Sequence, residues 1–135
     1  MVEPIEIAEK NEFESVKADL LSYLDLEDGW DGYGGSKPNP DVIASSIELL
    51  HQVNNFGLVL PKTMVSGSGE VSLYWDVADF YVEIGFKEKD RYTYLIVIND
   101  NEVEGGDDFD LLLGMPSQLR EALEELTRKA ACSRL

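Results

Sequence analysis

Val71-Ser72-Leu73-Tyr74-Trp75, Phe80-Tyr81-Val82-Glu83-Ile84-Gly85-Phe86 and Tyr92-Thr93-Tyr94-Leu95-Ile96-Val97-Ile98 follow one another with only short polar interruptions. Large apolar side chains fall on every second residue of each run, which is the period of a strand. Val71, Leu73 and Trp75 therefore share a face, as do Phe80, Val82, Ile84 and Phe86, and again Tyr92, Tyr94, Ile96 and Ile98. A shorter strand at Met64 to Ser66 precedes them and turns through Gly67-Ser68-Gly69, while Asp76 to Asp79 and Lys87 to Asp90 make the next two turns. The pattern predicts an antiparallel meander of about four strands.

The Tyr92 to Ile98 run is apolar on both sides, because Leu95 and Val97 point away from the tyrosines. Such a strand belongs in the interior of a sheet with material on each face. Tyr74 and Tyr81 share that second face. The segment available to cover it is a last helix from Pro116-Ser117, whose Leu119, Leu123, Leu126 and Ala130 recur at helical spacing. If it is left bare, the aromatic face offers a surface for a homodimer.

Upstream of the strands the period is helical. Asn11 and Glu14 form a capping-box-like pair, followed by Phe13, Val16, Leu20 and Leu24 on one face, with residues 1–10 as a loose lead-in. A second helix has Asn39 as its cap, Pro40 in its first turn and Gly57 to close it, and Ile43, Ile47, Leu50 and Val53 or Asn54 follow the helical period. Residues 130–135 read as a frayed tail. The order of elements predicts one α+β domain over residues 1–135, with two N-terminal helices, the meander and one C-terminal helix.

Composition bounds the rest. A chain of 135 residues with 44% hydrophobic and 10% aromatic residues has enough apolar material for one core. Its 27 Asp and Glu against 11 Lys and Arg leave a net charge of −16. Such a surface repels nucleic acid and anionic membranes and favours basic proteins or metal cations as partners. The single cysteine, Cys132, has no second thiol in the chain, which fits a reducing cytoplasm. No apolar run reaches the roughly 18 residues of a membrane span.

Between the first two helices, Gly29, Gly32, Gly34 and Gly35 surround Trp30, Asp31 and Tyr33. Glycines let this loop fold tightly and hold the two aromatics in fixed directions. The aromatics serve either as a plug beneath the helix connection, the preferred expectation, or as a platform for a ligand. The loop lacks the lysine and the preceding strand of a phosphate cradle, and Asp25, Glu27, Asp28 and Asp31 lack the spacing of a calcium loop.

Leu26 to Gly35, Leu60-Pro61 and the Gly69-Glu70-Val71-Ser72-Leu73-Tyr74-Trp75 strand resemble a widespread group of small bacterial and phage proteins. Their shared pattern is a Gly-Trp-Asp-Gly-Tyr-Gly loop, a helix, Leu-Pro and a Gly-x-Val-x-Leu-x-Trp strand. The resemblance covers residues 20–86, implies a bacterial or mobile-element origin and carries no established activity. Gly35 to Lys37 departs from it, and the acidic segment after Ile98 stands outside it.

That acidic segment holds Asp100, Glu102, Glu104, Asp107, Asp108 and Asp110, with no Lys or Arg from Tyr92 through Leu119. Extended, it would project Asp100, Glu102 and Glu104 to one side at intervals of roughly 6.6 Å. One row is too sparse to imitate duplex phosphates at about 3.4 Å per strand, so Asp28 and Asp31, with their acidic neighbours, would have to add a second. A solvated acidic loop is the plain alternative.

Nothing points to catalysis. His51 is the only histidine, on the boundary side of the second helix, and neither a Cys-His pair nor a zinc ligand set is available. No cofactor is implied. The leading expectation is a non-enzymatic acidic inhibitor that binds the positive, nucleic-acid-binding surface of a bacterial protein, in the manner of an anti-CRISPR or anti-restriction DNA mimic. Its candidate contacts are Asp100, Glu102, Glu104, Asp107, Asp108, Asp110, Asp28, Asp31, Trp30 and Tyr33. The alternatives are an antitoxin or immunity protein that uses the aromatic sheet face, and a small-ligand or metal-binding module built on the Trp30 and Tyr33 loop.

Overall fold

The computed structural model describes residues 4–133, with side chains for residues 12–106 and 108–131. Residues 1–3 and 134–135, the outer parts of the expected lead-in and tail, lie outside it.

The alternating runs form the meander: β1 (Lys62–Val65), β2 (Val71–Val77), β3 (Phe80–Glu88) and β4 (Arg91–Ile98) pair antiparallel in chain order. The strand count is five, because β5 (Asn101–Asp110) pairs with β4. Asn99 and Asp100 adopt φ of 53° and 64°, the left-handed pair that a two-residue hairpin needs and that Asn and Asp tolerate best among side-chain-bearing residues. The chain therefore folds straight back along β4. Its Asn, Glu, Gly and Asp content is poor in strand formers, so pairing with β4 rather than local propensity holds β5 in place.

Cross-strand register makes the apolar side of the sheet continuous. Leu73 stands opposite Ile84, Trp75 opposite Val82, Phe86 opposite Tyr92 and Ile84 opposite Tyr94. All three helices pack on that side: Phe13 and Leu20 of α1 (Pro4–Ser22), Val42, Ile43, Leu49, Leu50 and Val53 of α2 (Pro40–Asn55), and Leu119, Leu123 and Leu126 of α3 (Ser117–Ser133) join one core. Burying each such leucine or valine contributes about 1.5–3 kcal/mol.

The expectation that α3 covers the second face is thereby corrected. That face is broken by Ser72, Glu83, Gly85 and Thr93, and a helix laid over Glu83 would bury a carboxylate without a cation. The first face offers Trp75, Phe80 and Ile96 instead, and α3 is pinned there. Thr127 Oγ1 accepts the Val59 N–H at 3.0 Å, and the Lys129 ammonium lies 3.4 Å from Asp79 and over the Phe80 ring.

Helix α1 starts at Pro4, so residues 4–10 are helical rather than a loose lead-in, and Asn11 lies inside the helix instead of at its cap. After Ser22 the chain tightens into a 3-10 turn, Tyr23–Asp25, and the change of period rotates Leu24 outward to 49% exposure. Tyr23 takes the inward place, its hydroxyl 2.7 Å from Thr63 Oγ1 on β1. Helix α2 follows its signals: the Asn39 side chain accepts the Asp41 N–H at 2.8 Å, and Gly57 at φ 70° ends the helix with the Leu58 N–H on the Val53 carbonyl. Helix α3 continues to Ser133, so residues 130–133 of the expected tail are helical.

Candidate functional site

The acidic segment is an edge strand. Asp100 forms the β4–β5 hairpin and is exposed, as are Glu102 and Asp108, whereas Glu104 and Asp110 are half-buried. The side chain of Asp107 lies outside the described residues.

Two irregularities shape β5. Ile96 pairs with Glu104 and the next residue, Val97, pairs with Glu102, so Val103 bulges out of the ladder. A second shift lies between Tyr92, opposite Phe109, and Tyr94, opposite Gly106. The first bulge overturns the one-sided row expected of Asp100, Glu102 and Glu104, because Ile96 and Val97 face opposite sides of the sheet. Glu104 lies on the helix side, where its charge adds to burial in pushing the Tyr94 phenol above its ordinary pKa. Glu102 lies on the open side.

On that open side Tyr74, Tyr81, Leu95 and Val97 are half-buried, and among the described residues no helix packs against them. Glu83 stands at the centre, opposite Tyr74 on β2 and Leu95 on β4. The Tyr81 hydroxyl donates to Glu83 Oε1 at 3.0 Å, and the Tyr74 and Tyr81 rings lie 6.3 Å apart. Burial, followed by this hydrogen bond and the Glu83 charge, pushes the Tyr81 phenol up to about 12. Glu83 and Glu102 together rim a hollow of about 420 Å³ lined by Thr93, Leu95, Gly105 and Gly106. The hollow exists because Gly105 carries no side chain; a Cβ there would sit 3.3 Å from Glu102 Oε1 and 3.8 Å from Leu95 Cδ1.

Charge is graded along this face. Asp76, Asp79 and Asp100 gather at the end where the β2–β3 and β4–β5 turns lie, around a second depression that Tyr81 and Val97 also line. Lys87 and Arg91 stand at the other end, where Arg91 Nε lies 3.6 Å from Asp108 Oδ1. Lys62 is on the far edge, opposite Tyr74. Among the described residues, ion pairs join Arg91 to Asp108, Arg120 to Glu124, Arg128 to Glu125 and Lys129 to Asp79. None involves Asp76, Glu83, Asp100, Glu102 or Glu104.

The glycine-rich loop sits elsewhere. The Ser36 N–H donates to the Gly67 carbonyl at 2.8 Å, which ties the loop to the β1–β2 turn at the sheet edge opposite β5. Four strand spacings, about 19 Å, separate the two edges. The second acidic row that Asp28 and Asp31 were to add beside β5 is therefore not formed.

Both carboxylates are used inside the loop. Asp31 Oδ1 accepts the N–H groups of Tyr33 at 2.9 Å and Gly35 at 2.8 Å, bonds that hold its pKa below the ordinary value, and Asp28 Oδ1 accepts the Lys37 N–H at 3.0 Å. Gly35 admits this turn because any Cβ there would lie 2.7 Å from the Asp31 carboxyl. Trp30 is half-buried, and its Nε1 donates to the Ser36 carbonyl at 2.8 Å; Tyr33 is 93% exposed. Neither belongs to the core, so the expectation of a core plug is corrected: Trp30 braces its own loop and Tyr33 projects from it.

Comparison with protein-family models, with curated proteins and with solved structures finds no match to this chain.

Elsewhere, His51 is half-buried with its ring 5.1 Å from that of Phe13. Among the described residues no three His, Cys, Asp or Glu side chains converge as a metal ligand set, and no helix is long and apolar enough to cross a membrane. A depression of about 300 Å³ between the end of α2 and α3 has Glu12 as its only ionisable lining residue among the described residues. The alternation places Tyr74 and Tyr81 together on the open face, but Asp76 and Glu83 were missed as their acidic neighbours. The signal was present in the alternation itself, which set these residues opposite the core side.

Proposed function

We propose that this chain is a non-enzymatic acidic binding protein that occupies a positively charged, nucleic-acid-binding surface of a bacterial protein and inhibits it. One observation carries the reading: Asp76, Glu83, Asp100, Glu102 and Glu104 crowd the open sheet face and the β5 edge, and no described lysine or arginine forms an ion pair with them. Carboxylates that no described cation neutralises keep most of their field, which speeds encounter with a cationic surface and disfavours anionic ones. The bulge at Val103 leaves no phosphate-like row and turns Glu104 to the helix side, so the attraction rests on charge summed over the open face and the β5 edge together.

The half-exposed Tyr74, Tyr81, Leu95 and Val97 favour a second reading, an antitoxin or immunity protein whose affinity comes from the aromatic face. Tagged protein used as bait in bacterial lysate separates the two. The inhibitor reading expects a basic nucleic-acid-binding protein that is retained after nuclease treatment and whose nucleic acid is displaced. A retained toxin with no affinity for nucleic acid would establish the other, and retention of only acidic or neutral proteins would refute the inhibitor.

A further inference from the structure

The acidic reading leaves open which surface makes the contact, and the candidates are the outer edge of β5, the glycine-rich loop and the bare face of the sheet. The loop spends Asp28 and Asp31 on its own backbone. The outer edge of β5 is bulged at Val103 and again near Gly106, which obstructs the addition of another strand. The bare face has neither handicap. It places apolar and aromatic area beside carboxylates that no described cation pairs, the mixture from which interface hot spots are made.

We propose that the open face of the sheet is the docking surface, and that an arginine of the cationic partner enters the hollow between Glu83 and Glu102 with its apolar neighbours on Tyr74, Tyr81, Leu95 and Val97. The inference rests on the acidic binding reading and names its site. Charge complementarity selects the occupant. Two carboxylates, Glu83 from β3 and Glu102 from β5, line one hollow beside Gly105 and suit a guanidinium, whose several N–H groups serve more than one carboxylate, and the Tyr81 ring hydrogen-bonded to Glu83 offers it a flat face. A second copy of the chain would set Glu83, Glu102 and Asp76 against like charges, in a molecule that already carries −16. Lys87 and Arg91 line the neighbouring depression, which shares Thr93 with the hollow, so the partner's cations other than the inserted arginine lie toward the Asp76 and Asp100 end.

The test is an amide NMR titration of the full chain at low salt with a synthetic amphipathic helical peptide of leucine, alanine and arginine. The proposal expects shifts at Tyr74, Tyr81, Thr93, Leu95, Val97 and Gly105. Glu83→Gln with Glu102→Gln should weaken binding about tenfold. Gly105→Leu, which fills the hollow and removes no charge, should weaken it comparably, whereas Glu27→Gln with Glu48→Gln, the same charge change away from this face, should have little effect. Unchanged amide spectra away from the substitutions confirm that the variants fold. A footprint on the glycine-rich loop, on the helices, or spread in proportion to charge overturns this site and leaves the acidic binding reading standing. Absence of any interaction at low salt overturns both.

Discussion

Glu102 and Glu104 lie two residues apart on one strand yet on opposite faces of the sheet, because Val97 and Ile96, which they pair with, are adjacent. The bulge at Val103 divides their work. Glu102 rims the open hollow, while Glu104 acts on Tyr94 at the helix side.

Glu104→Gln should therefore lower the Tyr94 phenol pKa toward its ordinary value, and Glu102→Gln should leave it in place. NMR titration of the Tyr94 ring reads both. A shift caused by Glu102→Gln and absent from Glu104→Gln would place the bulge wrongly.

The two tryptophans should differ in cost. Trp75 is 3% exposed and its Nε1 donates to the Val59 carbonyl at 2.7 Å, so Trp75→Ala should destabilise by about 3–5 kcal/mol. Trp30 is half-buried in its own loop, and Trp30→Ala should cost only about 1–2 kcal/mol, chiefly one hydrogen bond and some packing. Urea unfolding of the two variants checks the order; equal losses would restore the core-plug reading.

Tyr92 is 2% exposed and, among the described residues, its hydroxyl has no hydrogen-bond partner. Replacing an unsatisfied buried hydroxyl by hydrogen is favourable, so Tyr92→Phe should raise stability by about 1 kcal/mol. Burial, with smaller contributions from Tyr94 and Asp110, also pushes the Tyr92 phenol up to about 12, and Tyr81 stands at a similar value. Both phenols hold their protons more tightly folded than unfolded. Their contribution is complete below about pH 10, the unfolded value, and is lost as pH rises from there through about 12. Unfolding midpoints measured at stepped alkaline pH should fall across that window, and less steeply in Tyr92→Phe.

In the glycine-rich loop the sign is reversed. Asp31 is held below its ordinary value of 3.8 by the Tyr33 and Gly35 N–H groups, so its ordering effect is present above that pH and fades as pH falls through the folded pKa. Amide hydrogen exchange at Tyr33 and Gly35 should accelerate relative to the sheet on acidification, and at every pH in Asp31→Ala. Protection that survives Asp31→Ala would show that the backbone bond from Ser36 to Gly67 suffices.

Alternation from Val71 to Ile98 was enough to read β2, β3 and β4, and Asn39, Pro40 and Gly57 bounded α2, because in each case local chemistry and packing agree. The fifth strand was hidden because its residues favour loops; only Asn99-Asp100, a hairpin signal, marked it. Leu24 was misplaced because the helical period was carried past Ser22 into a tighter turn. In the candidate site, the charge of the 100–110 segment was plain from composition. Which face each carboxylate took was not, because one bulged residue reverses the side on which everything beyond it projects. Leu112 and Leu113, 74% and 85% exposed after β5, show the same limit, since the Leu111–Leu113 3-10 turn buries only its first leucine.

If unpaired carboxylates on the open face and the β5 edge drive association with a cationic protein surface, binding must depend steeply on salt. The most direct measurement is the dissociation constant for the protein retained from lysate, followed by a surface-bound assay as sodium chloride is raised from low to molar concentration. Affinity should fall steeply, mainly through a slower association rate at first, because screening shortens the reach of the field from about 30 Å at 0.01 M to about 3 Å at 1 M. An affinity unchanged across that range would contradict a charge-driven association.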